Sequence, residues 1–169
     1  MQDSTLPAPI AEAIAPLLEQ WPPSRAMAQL VVREEAPKMA TGLVMQMLDR
    51  PELAGRPELA AGLWLYVDDL DRSHRLSQGM DSSTGSYWHA IMHRREGDFS
   101  NSLYWLRRTG RHPAMQRVGQ DYDPEDLVRA VERAAAPGGD PAEQEKLVDL
   151  QRREWWTLFA WCASEGEAG

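Results

Sequence analysis

Apolar residues recur along this chain at intervals of three and four rather than in alternation, and each such run predicts an amphipathic helix. The first 23 residues carry a thin version of the pattern: Ile10, Ile14, Leu17, Leu18 and Trp21. Pro16 inside the run and Pro22-Pro23 behind it predict an interrupted, loosely attached N-terminal arm over 1–23. From 24 to 164 the chain reads as a single helical domain. Leu30, Val31 and Val32, then Leu43, Val44, Met47 and Leu48, predict two short helices, the second beginning at Pro37. Leu59, Leu63, Tyr66, Val67, Leu70 and His74 form one stripe, so one long helix is expected from 57 to about 78.

After a Gly- and Ser-rich loop over 79–85, Ser83 or Thr84 caps a helix that Gly97 stops. Asp98 or Ser100 opens the next, which runs to about Arg108 before Gly110. Asp123-Pro124-Glu125-Asp126 is a strong helix start, with a cap, a proline at the first turn and acids facing the helix dipole. Asp140-Pro141 opens the last helix, striped by Leu147, Leu150, Trp155, Leu158, Phe159 and Cys162 and reaching about Ser164. No repeat, heptad run or strand alternation stands out. The expectation is an all-α, compact single-domain bundle of five to seven helices.

Composition narrows the class. A chain of 169 residues suits one domain and buries enough surface to need no staples. Cys162 is the only cysteine, so no intrachain disulfide forms. The start of the chain lacks a basic segment followed by an apolar run, and no apolar stretch reaches the roughly 20 residues of a membrane span. The expectation is a cytoplasmic protein with a small-molecule ligand, no membrane contact and no nucleic acid. The formal net charge of -8 argues against phosphate-backbone binding. Of the 18 basic residues only Lys38 and Lys146 are lysine. Either codon usage or a need for planar, bidentate donors accounts for that bias.

All four histidines, His74, His89, His93 and His112, fall in the one region where Arg, Glu, Asp, Asn, Tyr and Trp are also dense. On a helix over 86–96, His89, His93 and Glu96 share a face within roughly 60° of one another. Two imidazoles one turn apart can hold one metal ion, with a carboxylate or a third histidine as a further ligand. Neutral imidazole also serves as a proton acceptor near pH 7. His74 lies on the inward stripe of the preceding helix, where Asp71 is placed to orient it. On the following helix Asn101, Tyr104 and Arg108 share a face suited to a polar or anionic ligand. Trp88 and Trp105 interleave with the polar residues, and either can wall a pocket.

The run Trp88-His89-x3-His93-Arg94-Arg95-Glu96-Gly97-Asp98-x2-Asn101-x2-Tyr104-Trp105-x-Arg107-Arg108-x-Gly110-x-His112-Pro113, with Asp71-x2-His74 before it, resembles a family of small proteins sharing this motif. The resemblance spans about 60–115. That family has no established activity, so the resemblance implies a shared module and no particular reaction.

Two readings follow. In the first, the chain is a helical enzyme or ligand-binding protein acting on a small polar or anionic molecule. Its catalytic candidates are His93, His89, His74 and Glu96. Its ligand-binding candidates are Asp98, Asn101, Tyr104, Arg108, His112 and Trp88, and a divalent metal ion is a candidate cofactor on His89, His93 and His74. In the second, it is a non-catalytic adaptor or structural protein, whose motif arginines pair with Glu96, Asp98 and nearby acids in an internal network.

Overall fold

The computed structural model describes residues 5–165, the last by its backbone alone. Every regular element among them is a helix, and the protein is all-α. The helices are α1 (Ala8–Gln20), α2 (Lys38–Leu48), α3 (Pro57–Tyr66), α4 (Leu70–Gln78), α5 (Ser83–Glu96), α6 (Phe99–Thr109), α7 (Met115–Val118), α8 (Pro124–Ala135) and α9 (Pro141–Glu165). Successive helices from α3 to α6 pack on one another, and α9 packs across α3, α7 and α8. The main core gathers Ile14, Leu17, Leu59, Leu63, Trp88, Trp155 and Phe159 from four of these elements.

The described residues hold nine helices where the sequence predicts five to seven, and Ser82, not Ser83 or Thr84, caps α5 by accepting from the Gly85 amide at 3.0 Å. Three further sequence expectations are corrected. The first concerns the N-terminal arm. Residues 8–20 form a helix whose Ile10, Ala13, Ile14 and Leu17 are buried in the main core. Pro16 is tolerated because it is exposed, so the carbonyl it leaves unpaired at Glu12, also exposed, faces water. The Tyr66 hydroxyl donates to the Trp21 carbonyl at 2.6 Å and ties the end of α1 to α3.

The second is the helix expected around Leu30. Residues 21–37 instead form an irregular strap with Met27 at φ 51°. Its backbone is satisfied by distant groups. Gln151 donates to the Met27 and Gln29 carbonyls at 2.8 and 3.0 Å. Arg152 donates to Ala26 at 2.9 Å, Arg95 donates to Gln29 at 3.2 Å, and the Val32 amide donates to the Arg95 carbonyl at 2.8 Å. These distant donors satisfy carbonyls of the strap that no helical ladder serves.

The third is the long helix over 57–78, which breaks after Tyr66. The Asp69 amide donates to the Trp64 carbonyl and the Asp68 amide to Leu65, with Asp68 left-handed at φ 64°. This pair of bonds closes a helix C-terminus, a place where glycine is usual. Asp69 then caps α4 by accepting from the Arg72 amide at 3.1 Å. The joint between α5 and α6 is built the same way. The Asp98 amide donates to His93, Gly97 sits at φ 86°, and Asp98 caps α6 by accepting from the Asn101 amide at 3.2 Å. Ser73 and Ser102 donate to the Ala61 and Ala90 carbonyls at 2.9 and 2.7 Å, pinning the second helix of each hairpin to the first. Two equivalent hairpins therefore stand side by side, although their sequences show no repeat.

Candidate functional site

The stop at Asp68 is what sets His74. It turns α4 back against α5, so His74 meets the face of α5 that carries His89 and His93. Ligand nitrogens of the three histidines lie within 4.8 Å of one another. The rings are 4.8 Å (His74–His89), 5.4 Å (His74–His93) and 4.7 Å (His89–His93) apart, centre to centre. His89 and His93 are buried and His74 is half-buried.

Each ring has a different surrounding. Glu96 takes a 2.6 Å bond from Nδ1 of His93. With that proton on Nδ1, Nε2 carries the lone pair, and it accepts from the Asn101 amide nitrogen at 3.2 Å. A carboxylate behind an imidazole in this way fixes its tautomer and ring orientation. His89 is sandwiched between His93 and the Trp105 ring, the latter 3.9 Å away and 18° from parallel. Its Nδ1 is buried and has no hydrogen-bond partner among the described residues. Burial, then the neighbouring His93 and His74, push His89 down to about 4, so it is neutral at pH 7. Asp71 does not orient His74 as expected. It is exposed and paired with Arg75 one turn on.

The other candidates divide. Asp98 caps α6, and a carboxylate oxygen of it lies within 4.8 Å of ligand atoms of His93 and Glu96. Arg108 stands over the Trp105 ring at 5.5 Å, and Tyr104 meets that ring edge-on. Trp88 is not in the site. It is fully buried and presses on Gly62 of α3, where a Cβ would lie 2.8 Å from its ring. Trp105 is the aromatic wall instead, and its spacing from Asn101 (i, i+4) on α6 is the signal for it. His112 is also elsewhere. Its Nδ1 accepts from the Ala114 amide at 3.1 Å, so Nε2 carries the proton donated to Thr84 at 3.0 Å. It packs against Tyr87 and Trp161.

Arg94 and Arg95 of the motif pair away from the histidines, and not with Glu96 or Asp98. Arg94 makes a bidentate pair with Glu154 of α9 at 2.8 and 3.1 Å, both side chains buried. Tyr122 donates to the same carboxylate, and Tyr87 and Tyr122 share a 2.6 Å bond. Burial works against the Arg94 charge, but Glu154 more than restores it. Arg95 bonds Asp68 at 2.7 Å and the Leu65 carbonyl at 2.9 Å. Sequence reasoning missed Glu154, although it sits four residues from both Leu150 and Leu158 on the apolar stripe of α9.

No family model, no curated protein and no solved structure matches this chain. Three imidazoles converging from two helices can ligate a borderline-soft divalent ion such as Zn2+ or Co2+, or accept a proton.

Proposed function

We propose that this protein binds a divalent metal ion through His74, His89 and His93, and that a small polar molecule is bound or transformed on the solvent side of that site. The observation that supports this most is the convergence of three imidazoles whose ligand nitrogens lie within 4.8 Å, one of which, His89, has a buried nitrogen without a partner among the described residues. A structural histidine looks like His112, with both nitrogens engaged by the protein.

The surrounding residues fit the role. Glu96 holds His93 in the tautomer that presents Nε2, and Trp105 fixes the plane of His89. Asn101 releases Nε2 when the ion arrives. A bound ion would supply Lewis acidity and an acidified water. The second reading, an internal network, is favoured for Arg94 and Arg95, whose charges are paired with Glu154 and Asp68 inside the protein.

Protein prepared without a histidine tag should take up stoichiometric Zn2+ or Co2+. Zn2+ should raise its melting temperature, because an ion bound only by the folded chain stabilises it by linkage. His89→Ala and His93→Ala should abolish uptake, while His112→Ala should retain it. An unshifted melting temperature together with no measurable Zn2+ binding would overturn the proposal.

A further inference from the structure

The walls around the histidines differ in charge. Glu96 and Asp98 lie at the α5 end. From Phe99 to Gln120 the chain has no acidic residue, yet it carries Arg107, Arg108, Arg111 and Arg117 in a protein of net charge -8. Arg94 and Arg95 do not add to this field, since Glu154 and Asp68 neutralise them. Among the described residues, Arg107, Arg108 and Arg111 stand in no ion pair, so their charges are left to solvent or a ligand.

Arg108 is also specifically placed. Its guanidinium lies over Trp105, Trp105 is stacked on His89, and His89 on His93. Three stacked rings, His93, His89 and Trp105, thus lead from the histidines to an exposed cation, Arg108, beside the last of them. Asn101, Trp105 and Arg108 share one face of α6 at i, i+4 and i+7, and the exposed Tyr104 edges the same ring. From Asn101 to Arg108 this face offers N–H donors and no carboxylate, with Glu96 and Asp98 at its inner end beside His93.

We infer that the small molecule taken at this site is an oxyanion, carrying a phosphate or carboxylate group that Arg108 receives at the mouth of the histidine cluster. The inference rests on the metal-binding reading above. A metal ion below and a guanidinium above place two positive centres on one aromatic wall, and a guanidinium fork matches the paired oxygens of either group. Trp105 holds the guanidinium in place, so little ordering is left for the ligand to impose.

The test uses the full chain loaded with Co2+, followed by its visible spectrum, and titrated with inorganic phosphate in a calorimeter. Saturable phosphate binding is expected. Arg108→Gln should weaken it by about tenfold, a loss expected for one charge-assisted contact, with Co2+ uptake unchanged. Arg108 is exposed, so the variant should fold. Failure to bind Co2+ would overturn the metal reading and this inference together. Co2+ uptake with binding of neither phosphate nor, in a parallel titration, acetate, or equal phosphate affinity in Arg108→Gln, would overturn the oxyanion inference alone.

Discussion

Arg94 and Glu154 show how a motif residue can be indispensable without touching the site. Both are sealed from solvent, and each satisfies the charge of the other. Removing one charge strands its partner in a medium that solvates it poorly, at a cost of about 3–5 kcal/mol. Glu154→Gln should therefore lower the unfolding free energy by roughly that amount in urea titrations. Adding Arg94→Met removes the stranded cation, and the amide oxygen that replaces the carboxylate can still accept from Tyr122. The double variant should then be more stable than Glu154→Gln alone, and a less stable double variant would refute the ion-pair account.

His112 makes a separate prediction about pH. Burial pushes it down to about 4, against an ordinary value of 6.5. The unfolded chain therefore binds the proton more readily than the folded one between those values. Its contribution to stability is present above pH 6.5 and is lost as the pH falls towards 4, by an amount on the order of 1–3 kcal/mol. His112→Gln should flatten the acid limb of the stability curve over that window, and an unchanged slope would show that the proton is bound equally in both states.

At the scale of elements, glycines in two helices should respond oppositely to the same change. Gly62 of α3 lies against Trp88 and Phe159, where a Cβ would meet ring atoms at 2.8 and 3.0 Å. Both rings are fully buried and cannot swing away. The better helix propensity of alanine, about 1 kcal/mol, is outweighed by overpacking of about 1–3 kcal/mol, so Gly62→Ala should destabilise. Gly42 of α2 has nothing within 4 Å of that position. Gly42→Ala should stabilise by about 0.5–1 kcal/mol. Thermal melts of the two variants read the difference, and shifts of the same sign would contradict it.

For the molecule as a whole, α1 is part of the main core. Ile14 is fully buried there, so Ile14→Ala should cost about 2–5 kcal/mol. A loss under about 0.5 kcal/mol, the size typical of a surface position, would restore the picture of a loose arm. The same packing positions the histidines. Arg95 ties α5 to Asp68 at the α3–α4 joint and, through Gln29, to the strap. The hairpin that presents His74 is therefore locked to the hairpin that presents His89 and His93.

Local rules were enough for much of this fold. Helical periodicity predicted the all-α class, and the caps at Asp98, Asp123 and Asp140 and the stop at Gly97 follow from hydrogen bonds a few residues long. The i, i+4 spacing of His89 and His93 placed both on one face. Tertiary structure decided what depends on distant partners. The irregular strap is stable because Gln151, Arg152 and Arg95 satisfy its carbonyls from elsewhere in the chain. The stripe over 57–78 breaks where Asp68 takes a left-handed conformation and is paired with Arg95. Trp88 and Trp105 share one composition and one neighbourhood in sequence. One fills the core and the other walls the histidines, because α3 comes close to one face of α5 at Gly62 while α6 covers the other. Periodicity records which side of a helix is apolar, but not which neighbour that side will meet.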